Sequence, residues 1–217
     1  MWRLSGRQRH RPLTEVIRKI GVYGGSFDPV HFGHLRPALE VVQQLNLDQL
    51  RFIPAGDPPH KERPRVSAAD RIAMLEIAIA DSPGLMVDKR EIEQPSLSYT
   101  IDTLNSLHND LPDSELTLII GTDQFNVFDT WHRWQELLQR VHVAVMQRPG
   151  EQLSDVAKGL LAGENAAGIT LCQVTQLDIS STMIRHDLQQ GTDIRFLVPY
   201  AVRQYIDDHQ LYTGSAH

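Results

Sequence analysis

A strand signal, a glycine pair and an amphipathic helix follow one another near the start of this 217-residue chain. Lys19–Tyr23 is short and partly β-branched, and Gly24 and Gly25 follow it at once, as expected at the end of a buried strand. Apolar residues then recur at helical spacing over 32–45, and 50–53 has the composition of a second strand. The three segments predict a βαβ unit, in which two parallel strands are joined by a right-handed crossover.

The same alternation continues along the chain. We expect further strands at 85–87, 115–121, 141–146 and 169–174, and helices at 68–80, 98–107, 131–138, 181–189 and 199–208. Ser67, with Asp70 three residues later, is a capping-box signature for the first of these helices. Residues 151–168 are weakly patterned and are expected to form a variable connection. Strands that alternate with helices throughout predict a doubly wound, Rossmann-like α/β fold, with helices on both faces of a parallel sheet.

The length suits a single domain, which we expect over residues 19–217 with a small helical part at about 178–211. Residues 1–18 are interpreted as a basic, mobile extension, and an arginine-rich leader is the less favoured alternative. Residues 1–20 carry a net charge of +5, although the whole chain carries −6 and has a pI near 5.9. Because the remainder is acidic, a nucleic-acid partner is not expected.

Cysteine usage and hydropathy indicate the compartment. Cys172 is the single cysteine, so no intrachain disulfide can form, and we expect its side chain to be buried in the strand at 169–174. No segment approaches the roughly 20 apolar residues that span a bilayer. We therefore expect a cytoplasmic protein without a membrane partner, either a monomer or a small homo-oligomer.

The loop after the first strand carries a His-x-Gly-His pattern that suits a polyphosphate. The glycine pair lets the backbone pass close to a phosphate, and the following N–H groups point to the same place. The helix that comes next adds unpaired N–H groups and the positive end of its dipole. His31 and His34 are three residues apart, so both can lie on one side of the first turn and donate to phosphate oxygens.

Two other roles for the histidines have to be weighed. A zinc site would need further His, Cys or carboxylate ligands, and the sequence assembles none nearby. A lone histidine at such a position is usually a cap or a surface residue. The glycines that precede His31 favour the phosphate role, and no metal site is predicted in the protein.

A second hydroxyl-rich segment precedes the helix at 181–189. Ser180, Ser181 and Thr182 cluster at the helix start, and Arg185 in the first turns could fork onto a phosphate. Alone, such a cluster is more often an N-cap. Together with the first loop it indicates a second phosphate-binding element.

The two segments carry a resemblance to a known family. Gly24, Ser26, Phe27, His31 and His34 match the HxGH signature of the nucleotidylyltransferase superfamily, although Ser26 stands where threonine is common. In that superfamily the motif holds the triphosphate of ATP or CTP and stabilises the transition state of nucleotidyl transfer. Its other phosphate-binding element resembles 179–185. The resemblance implies contacts to ATP at Gly24, Gly25, Ser26, Phe27, Gly33, Gly121, Asp123, Ile179, Ser180, Ser181 and Thr182.

Further segments resemble the bacterial nicotinate mononucleotide adenylyltransferases. They are Pro58–Lys61, Ser98–Leu104, Gly121–Asp123, Thr130–Trp131 and 198–206, in the family's order. The resemblance implies mononucleotide contacts at Lys61, Ser98, Tyr99, Thr100, Trp131 and His132. His132 replaces a frequent tyrosine, which matters little if that position contributes its backbone. An aromatic ring stacks well on a pyridine ring, so we expect Trp131 to contact substrate and Trp134 to pack in the core.

The implied reaction is the transfer of the adenylyl group of ATP to nicotinate mononucleotide, which gives deamido-NAD and pyrophosphate in NAD biosynthesis. The attacking phosphate is already anionic, so the reaction needs no protein nucleophile, and Mg²⁺ is expected to travel with ATP. His34 would meet the charge at the α-phosphate, while His31 and Arg185 would hold the β- and γ-phosphates. The alternatives are transfer to nicotinamide mononucleotide or phosphopantetheine, and a nucleotide sensor without turnover.

Overall fold

The computed structural model describes residues 18–56, 64–94, 99–147 and 150–213. Within these ranges one sheet contains β1 (Arg18–Gly25), β2 (Gln49–Pro54), β3 (Leu85–Val87), β4 (Ser114–Gly121), β5 (His142–Gln147) and β6 (Ile169–Gln173). All neighbouring strands are parallel, in the order β3-β2-β1-β4-β5-β6. The strand order reverses between β1 and β4, which is the point where doubly wound sheets bind their ligands. The predicted fold class is confirmed.

Helices connect these strands. The described helices are α1 (Phe32–Leu45), α2 (Ala68–Ile79), α3 (Arg90–Glu93), α4 (Thr100–Asp110), α5 (Thr122–Phe125), α6 (Trp134–Arg140), α7 (Asp155–Ala162), α8 (Ser181–Gln189) and α9 (Tyr200–Asp208). Short 3-10 turns lie at Phe128–Thr130 and Ala166–Gly168. In the parts of the chain that the structure describes, none of these helices combines the length and the apolarity needed to cross a membrane.

The sheet has a buried apolar cluster on each face. One cluster, which we call the α1 face, joins residues of α1, α2, α8 and α9 and includes Ala38, Met74, Ile184 and Val202. The other, the α4 face, joins α4, α6 and α7 to inward residues of the central strands. Successive strand side chains point to opposite faces, so a strand covered on both sides is apolar throughout. Cys172, at the end of β6, is 1% exposed and belongs to the α1 face, where burial raises the pKa of its thiol.

Local sequence signals account for several element boundaries. The Ser67 hydroxyl accepts a hydrogen bond from the backbone N–H of Asp70 and donates one to its carboxylate, at 3.1 and 2.6 Å. The predicted N-cap at Ser67 is therefore confirmed, although the Asp70 carboxylate binds the Ser67 hydroxyl and not its backbone N–H, as a full capping box would. α1 ends at Asn46, whose φ of 50° lies in the left-handed region that asparagine tolerates.

Four segments differ from the predictions. Residues 151–168 are not simply a variable connection, because they contain α7, whose N-cap Ser154 accepts a hydrogen bond from the Ala157 N–H. The helix predicted at 131–138 begins only at Trp134, because the backbone of Trp131 is extended and that of Arg133 is left-handed, with a φ of 56°. The helix predicted at 98–107 runs on to Asp110. Of the predicted extension 1–18, residues 1–17 lie outside the described ranges, and Arg18 already belongs to β1.

Candidate active site

The loop between β1 and α1 has one side packed in the core and one side exposed. Phe27, Asp28 and Val30 are buried, whereas Gly24 and Ser26 are exposed at the carboxyl end of β1. The Phe27 ring fills the space below Gly25, where an added Cβ would lie 2.9 Å from that ring. The exposed side of the loop therefore faces the edge of the sheet at which ligands of such folds bind.

The two histidines of the pattern stack on each other. Their ring centroids are 3.7 Å apart and the rings are inclined by 28°. His31 is the extended residue before α1 and is 4% exposed, while His34 lies in the first turn and is partly exposed. The buried Phe27 ring makes an edge-to-face contact with the His34 ring, with centroids 5.1 Å apart and an inclination of 74°. The structure thus brings both imidazoles to one side of the helix start.

Gly33 lets the second hydroxyl-rich segment reach this helix start. A Cβ on Gly33 would lie 2.9 Å from the carbonyl oxygen of Ile179 and 2.9 Å from Nδ1 of His31. The Ser181 hydroxyl also donates to the carbonyl of Pro29, at 2.9 Å. The two predicted phosphate-binding segments, 152 residues apart in sequence at this bond, therefore meet at the start of α1.

The side chains at the start of α8 have distinct partners. Ser180 is the N-cap, and its hydroxyl accepts a hydrogen bond from the Met183 N–H. Arg185 is directed back to the first loop, where its Nη1 donates to the backbone carbonyl of Asp28 at 2.7 Å. Its Nη2 donates to the Thr182 hydroxyl at 3.2 Å. These bonds place a guanidinium, a group suited to phosphate, beside the loop that carries the histidines.

The end of β4 lies at the same edge of the sheet as the end of β1. Gly121 allows the Asp123 carboxylate to fold back, since an added Cβ would lie 2.5 Å from its Oδ1. Asp123 is exposed and accepts a hydrogen bond from the Gln124 amide. Thr122 between them is buried, and its hydroxyl donates to the carbonyl of Met146 in β5. An exposed carboxylate is thereby fixed next to the switch point of the sheet.

The residues predicted to contact the mononucleotide are only partly described. Lys61 and Ser98 lie outside the described residues, and Thr100 is the first residue of α4. Tyr99 is exposed, and its ring lies 4.2 Å from that of His132, inclined by 31°. The Tyr99–His132 pair forms an exposed aromatic surface between the start of α4 and the segment before α6.

Trp131 and Trp134 have similar burial, although the sequence predicted different roles for them. Trp131 is half-buried, and its ring lies 5.2 Å from that of Phe128, inclined by 32°. Trp134 is also half-buried, and both side chains pack against the apolar cluster of the α4 face. Burial therefore does not separate the core role predicted for Trp134 from the contact role predicted for Trp131.

Sequence reasoning missed a buried arginine that supports the loop. Arg71 of α2 is 0% exposed, and its Nη1 donates to the carbonyls of Ser26 and Ala55, at 3.0 and 2.9 Å. One guanidinium thus ties the loop after β1 to the loop after β2. A charged residue on the apolar side of α2, one turn before Leu75, is the signal that could have identified it.

Sequence reasoning also missed a hydrogen-bonded pair that joins Asp28 of the first loop to Tyr212, which follows α9. The Asp28 carboxylate accepts hydrogen bonds from the Tyr212 hydroxyl and from the Arg65 backbone N–H, both at 2.7 Å. Burial, and next the neighbouring carboxylate, raise the pKa of Tyr212, so its hydroxyl keeps the proton that it donates. No local pattern marks this pair, because its members are 184 residues apart.

Comparison with known proteins finds a family whose matched region contains both predicted phosphate-binding segments. The model of the family described as cytidylyltransferase-like matches residues 22–187, which include both segments that meet at Gly33. The chain belongs to the cytidylyltransferase-like family. Two curated relatives of this family member carry the name "Probable nicotinate-nucleotide adenylyltransferase". The one from Pseudomonas fluorescens is 46% identical over 90% of this chain and 97% of its own length. The one from Pseudomonas syringae pv. tomato is 45% identical over 92% and 96%.

The fold of this cytidylyltransferase-like chain is also found among solved structures. Nicotinic acid mononucleotide adenylyltransferase of Plasmodium falciparum, solved as a complex with NaAD, superposes with a TM-score of 0.72. The superposition covers 90% of this chain and 97% of that one at 19% identity. At that identity the likeness speaks for the fold alone, and it extends beyond the region matched by the family model.

Proposed function

We propose that this protein transfers the adenylyl group of ATP to nicotinate mononucleotide, which gives deamido-NAD and pyrophosphate in NAD biosynthesis. The observation that carries the proposal is the meeting of the stacked His31 and His34 with the α8 segment at Gly33. The names of relatives about 45% identical over nearly their whole length support the same activity. We take residues 19–217 as the catalytic domain, with 178–211 as its helical part.

The donor side of the site uses the first loop and α8. The β- and γ-phosphates of ATP lie against His31, Arg185 and the N–H groups that follow Gly24 and Gly25. The start of α1 adds its dipole to the attraction of these groups for an anion. Asp123, exposed at the end of β4, accepts hydrogen bonds from the ribose hydroxyls of the adenosine. The remaining ATP contacts are those of Ser26, Phe27, Gly33, Gly121, Ile179, Ser180, Ser181 and Thr182.

The acceptor side uses the aromatic surface near α4. The pyridine ring stacks on Trp131, which Phe128 holds in place from one side. Thr100, the first residue of α4, and Ser98 hold the nicotinate carboxylate or the phosphate of the mononucleotide. Tyr99 and His132 border the ring with their own tilted aromatic pair. Lys61 supplies a further phosphate contact.

Transfer is a direct in-line displacement. A phosphate oxygen of the mononucleotide forms a bond to the α-phosphorus of ATP, and the bond from that phosphorus to the bridging oxygen of the β-phosphate breaks. The electron pair leaves with pyrophosphate, so no covalent enzyme intermediate forms. His34 stabilises the charge that grows on the α-phosphate, which is a role in positioning and electrostatics. Neither histidine acts as a base or a metal ligand.

Mg²⁺ belongs to this proposal as a companion of ATP. Among the residues that the structure describes, no group of three or more His, Cys, Asp or Glu side chains could hold a metal ion. We propose that the ion is held by phosphates and water, as Mg²⁺ commonly is. No step of the transfer is assigned to it. We further propose that the enzyme works in the cytoplasm as a monomer or a small homo-oligomer.

The test is pyrophosphate release from ATP and Mg²⁺ with different acceptors. Nicotinate mononucleotide, nicotinamide mononucleotide and phosphopantetheine are compared with a reaction that lacks an acceptor. The proposal expects the highest kcat/KM for nicotinate mononucleotide and the appearance of deamido-NAD in equal amount to pyrophosphate. Faster turnover of the amide would move the specificity to nicotinamide mononucleotide. Binding of ATP without release of pyrophosphate with any acceptor would favour a nucleotide sensor.

A further inference from the structure

Tyr212, in the turn after α9, reaches into the phosphate-binding loop from the far end of the chain. Its backbone has a φ of 62°, in the left-handed region that bulky residues rarely occupy. Its side chain packs against the apolar cluster of the α1 face, and its hydroxyl donates to Oδ1 of Asp28 at 2.7 Å. Such a conformation persists only where the surrounding contacts hold it. Tyr212 is therefore a fixed donor to one particular carboxylate oxygen.

Both oxygens of the Asp28 carboxylate have donors without a charge. Oδ1 accepts from Tyr212, and Oδ2 accepts from the backbone N–H of Arg65 at 2.7 Å. The carboxylate is buried, with Asp28 3% exposed. The guanidinium of Arg185 stays 3.9 Å from Oδ2 and uses Nη1 to bind the backbone carbonyl of Asp28 instead. A cation and a buried carboxylate thus lie side by side without a close ion pair.

Removal of the Tyr212 hydroxyl would upset this arrangement. A buried carboxylate oxygen that loses its donor is destabilised, because water does not replace the lost hydrogen bond. The strongest donor within reach is the Arg185 guanidinium, whose planar fork matches a carboxylate in two parallel hydrogen bonds. Nη1 of Arg185 lies 3.9 Å from Oδ2, so a shift of little more than 1 Å would bring it to the roughly 2.8 Å of such a bond and turn the fork toward both oxygens of the carboxylate. The guanidinium would then turn its donors to Asp28.

We propose that Tyr212 is a positioning residue, which occupies Asp28 and thereby keeps Arg185 available to the phosphates of ATP. This inference rests on the phosphate-binding role proposed above for Arg185. Tyr212 itself touches no substrate and acts through Asp28 and Arg185. Because Arg185 holds phosphates in the ground state and in the transition state alike, its diversion weakens ATP binding and leaves the chemical step unchanged.

Tyr212→Phe in the full chain tests the proposal, with Tyr205→Phe as the matched control. The Tyr205 hydroxyl donates to Oδ1 of Asp70 at 3.1 Å, so the control also removes a tyrosine hydroxyl from a carboxylate near the end of the chain. In the pyrophosphate assay, Tyr212→Phe raises the KM for ATP about tenfold, the scale of one hydrogen bond to a charged group, and changes kcat less than about twofold. Tyr205→Phe leaves both constants at the wild-type values.

A double-mutant cycle separates the proposed route from a loss of packing. In the Asp28→Asn background, a neutral amide does not attract the guanidinium, so Tyr212→Phe changes the KM for ATP less than about twofold. A persisting tenfold effect in that background would overturn the route through the carboxylate. So would a Tyr212→Phe variant that loses kcat and melting temperature while its KM for ATP stays normal.

Equilibrium binding of ATP keeps this test separate from the proposed reaction. The dissociation constant for ATP, measured by calorimetry without an acceptor, rises about tenfold in Tyr212→Phe and follows the same cycle. If the wild-type protein binds ATP but transfers it to no acceptor, the proposed function fails, and the binding cycle still decides the role of Tyr212. An unchanged dissociation constant in Tyr212→Phe would refute that role whatever the reaction is.

Discussion

The contact between Gly33 and Ile179 can be tested by adding a single methyl group. In Gly33→Ala the new Cβ would lie 2.9 Å from the Ile179 carbonyl oxygen. Carbon–oxygen contacts in proteins are usually about 3.3–3.6 Å, so α1 and the segment before α8 would have to separate by roughly 0.5 Å. The contact to Ile179 is to backbone, and the second contact, at the same distance, is to Nδ1 of the buried His31 ring, so neither neighbour is the far end of a flexible side chain.

The expected cost follows from this displacement. Overpacking of this kind destabilises by about 1–3 kcal/mol, and for a chain of this length 2 kcal/mol lowers the melting temperature by about 4–8 °C. A misplacement of 1 Å at a catalytic site can cost about 100-fold in rate, so a shift of half that size should lower kcat about tenfold. Thermal unfolding and pyrophosphate release from the same preparation measure both effects.

Gly24→Ala is the matched control, because an added Cβ there meets nothing within 4 Å. Its melting temperature should equal the wild-type value or exceed it slightly, since alanine reduces the entropy of the unfolded chain. The KM for ATP should nevertheless rise, because the methyl group occupies the space proposed for a phosphate. A Gly33→Ala variant with a melting temperature within about 1 °C of wild type and a normal kcat would refute the reasoning. Equal destabilisation by both substitutions would do the same.

Three further predictions concern the histidines, the acceptor side and the acid stability of the fold. His34→Ala should lower kcat about 100-fold or more, the scale of one lost transition-state donor, and a near-normal kcat in the pyrophosphate assay would contradict its assignment. Trp131→Ala should raise the KM for nicotinate mononucleotide and leave that for ATP nearly intact, whereas equal losses for both substrates would count against stacking. The pKa of Asp88 is lowered, since hydrogen bonds from Arg90 and Arg51 outweigh the opposing effect of burial. Its contribution to stability is therefore present above about pH 4 and is lost as the pH falls through the lower folded-state pKa. Asp88→Asn should cost about 3 kcal/mol at neutral pH, and urea titrations should show the difference from wild type narrowing below about pH 4.

The sequence predicts the sheet well because the signals of its strands are local. Central strands such as Ser114–Gly121 are covered on both faces, so they appear as continuous apolar runs bounded by turn residues. The N-cap at Ser67 is equally local. The helix Asp155–Ala162 was missed although Ser154 is a good N-cap, because Gly159 interrupts a short segment with little periodicity.

The site was predictable only as far as its motifs reach. The stacked histidines and the α8 hydroxyls are contiguous patterns, and the structure joins the loops that carry them through the bond between Ser181 and Pro29. Arg71 and Tyr212 contact the same loop from sequence separations of 45 and 184 residues, and no periodicity encodes which distant carbonyl or carboxylate a side chain meets. Trp131 and Trp134 show the converse, since both are half-buried against one apolar cluster. The roles predicted for them differ only in the contact with a bound ligand, which burial does not reveal.

The buried thiol of Cys172 can be used to measure local opening of the fold, because a thiol reagent reaches it only in an opened state. As the single cysteine, it receives all of the signal from a thiol reagent, and at 1% exposure it reacts only when β6 separates from the helices of the α1 face. The labelling rate under native conditions therefore measures the free energy of that opening without an introduced probe. Since α8 packs in the same apolar cluster, slower labelling in the presence of ATP would measure how strongly the nucleotide closes this half of the molecule.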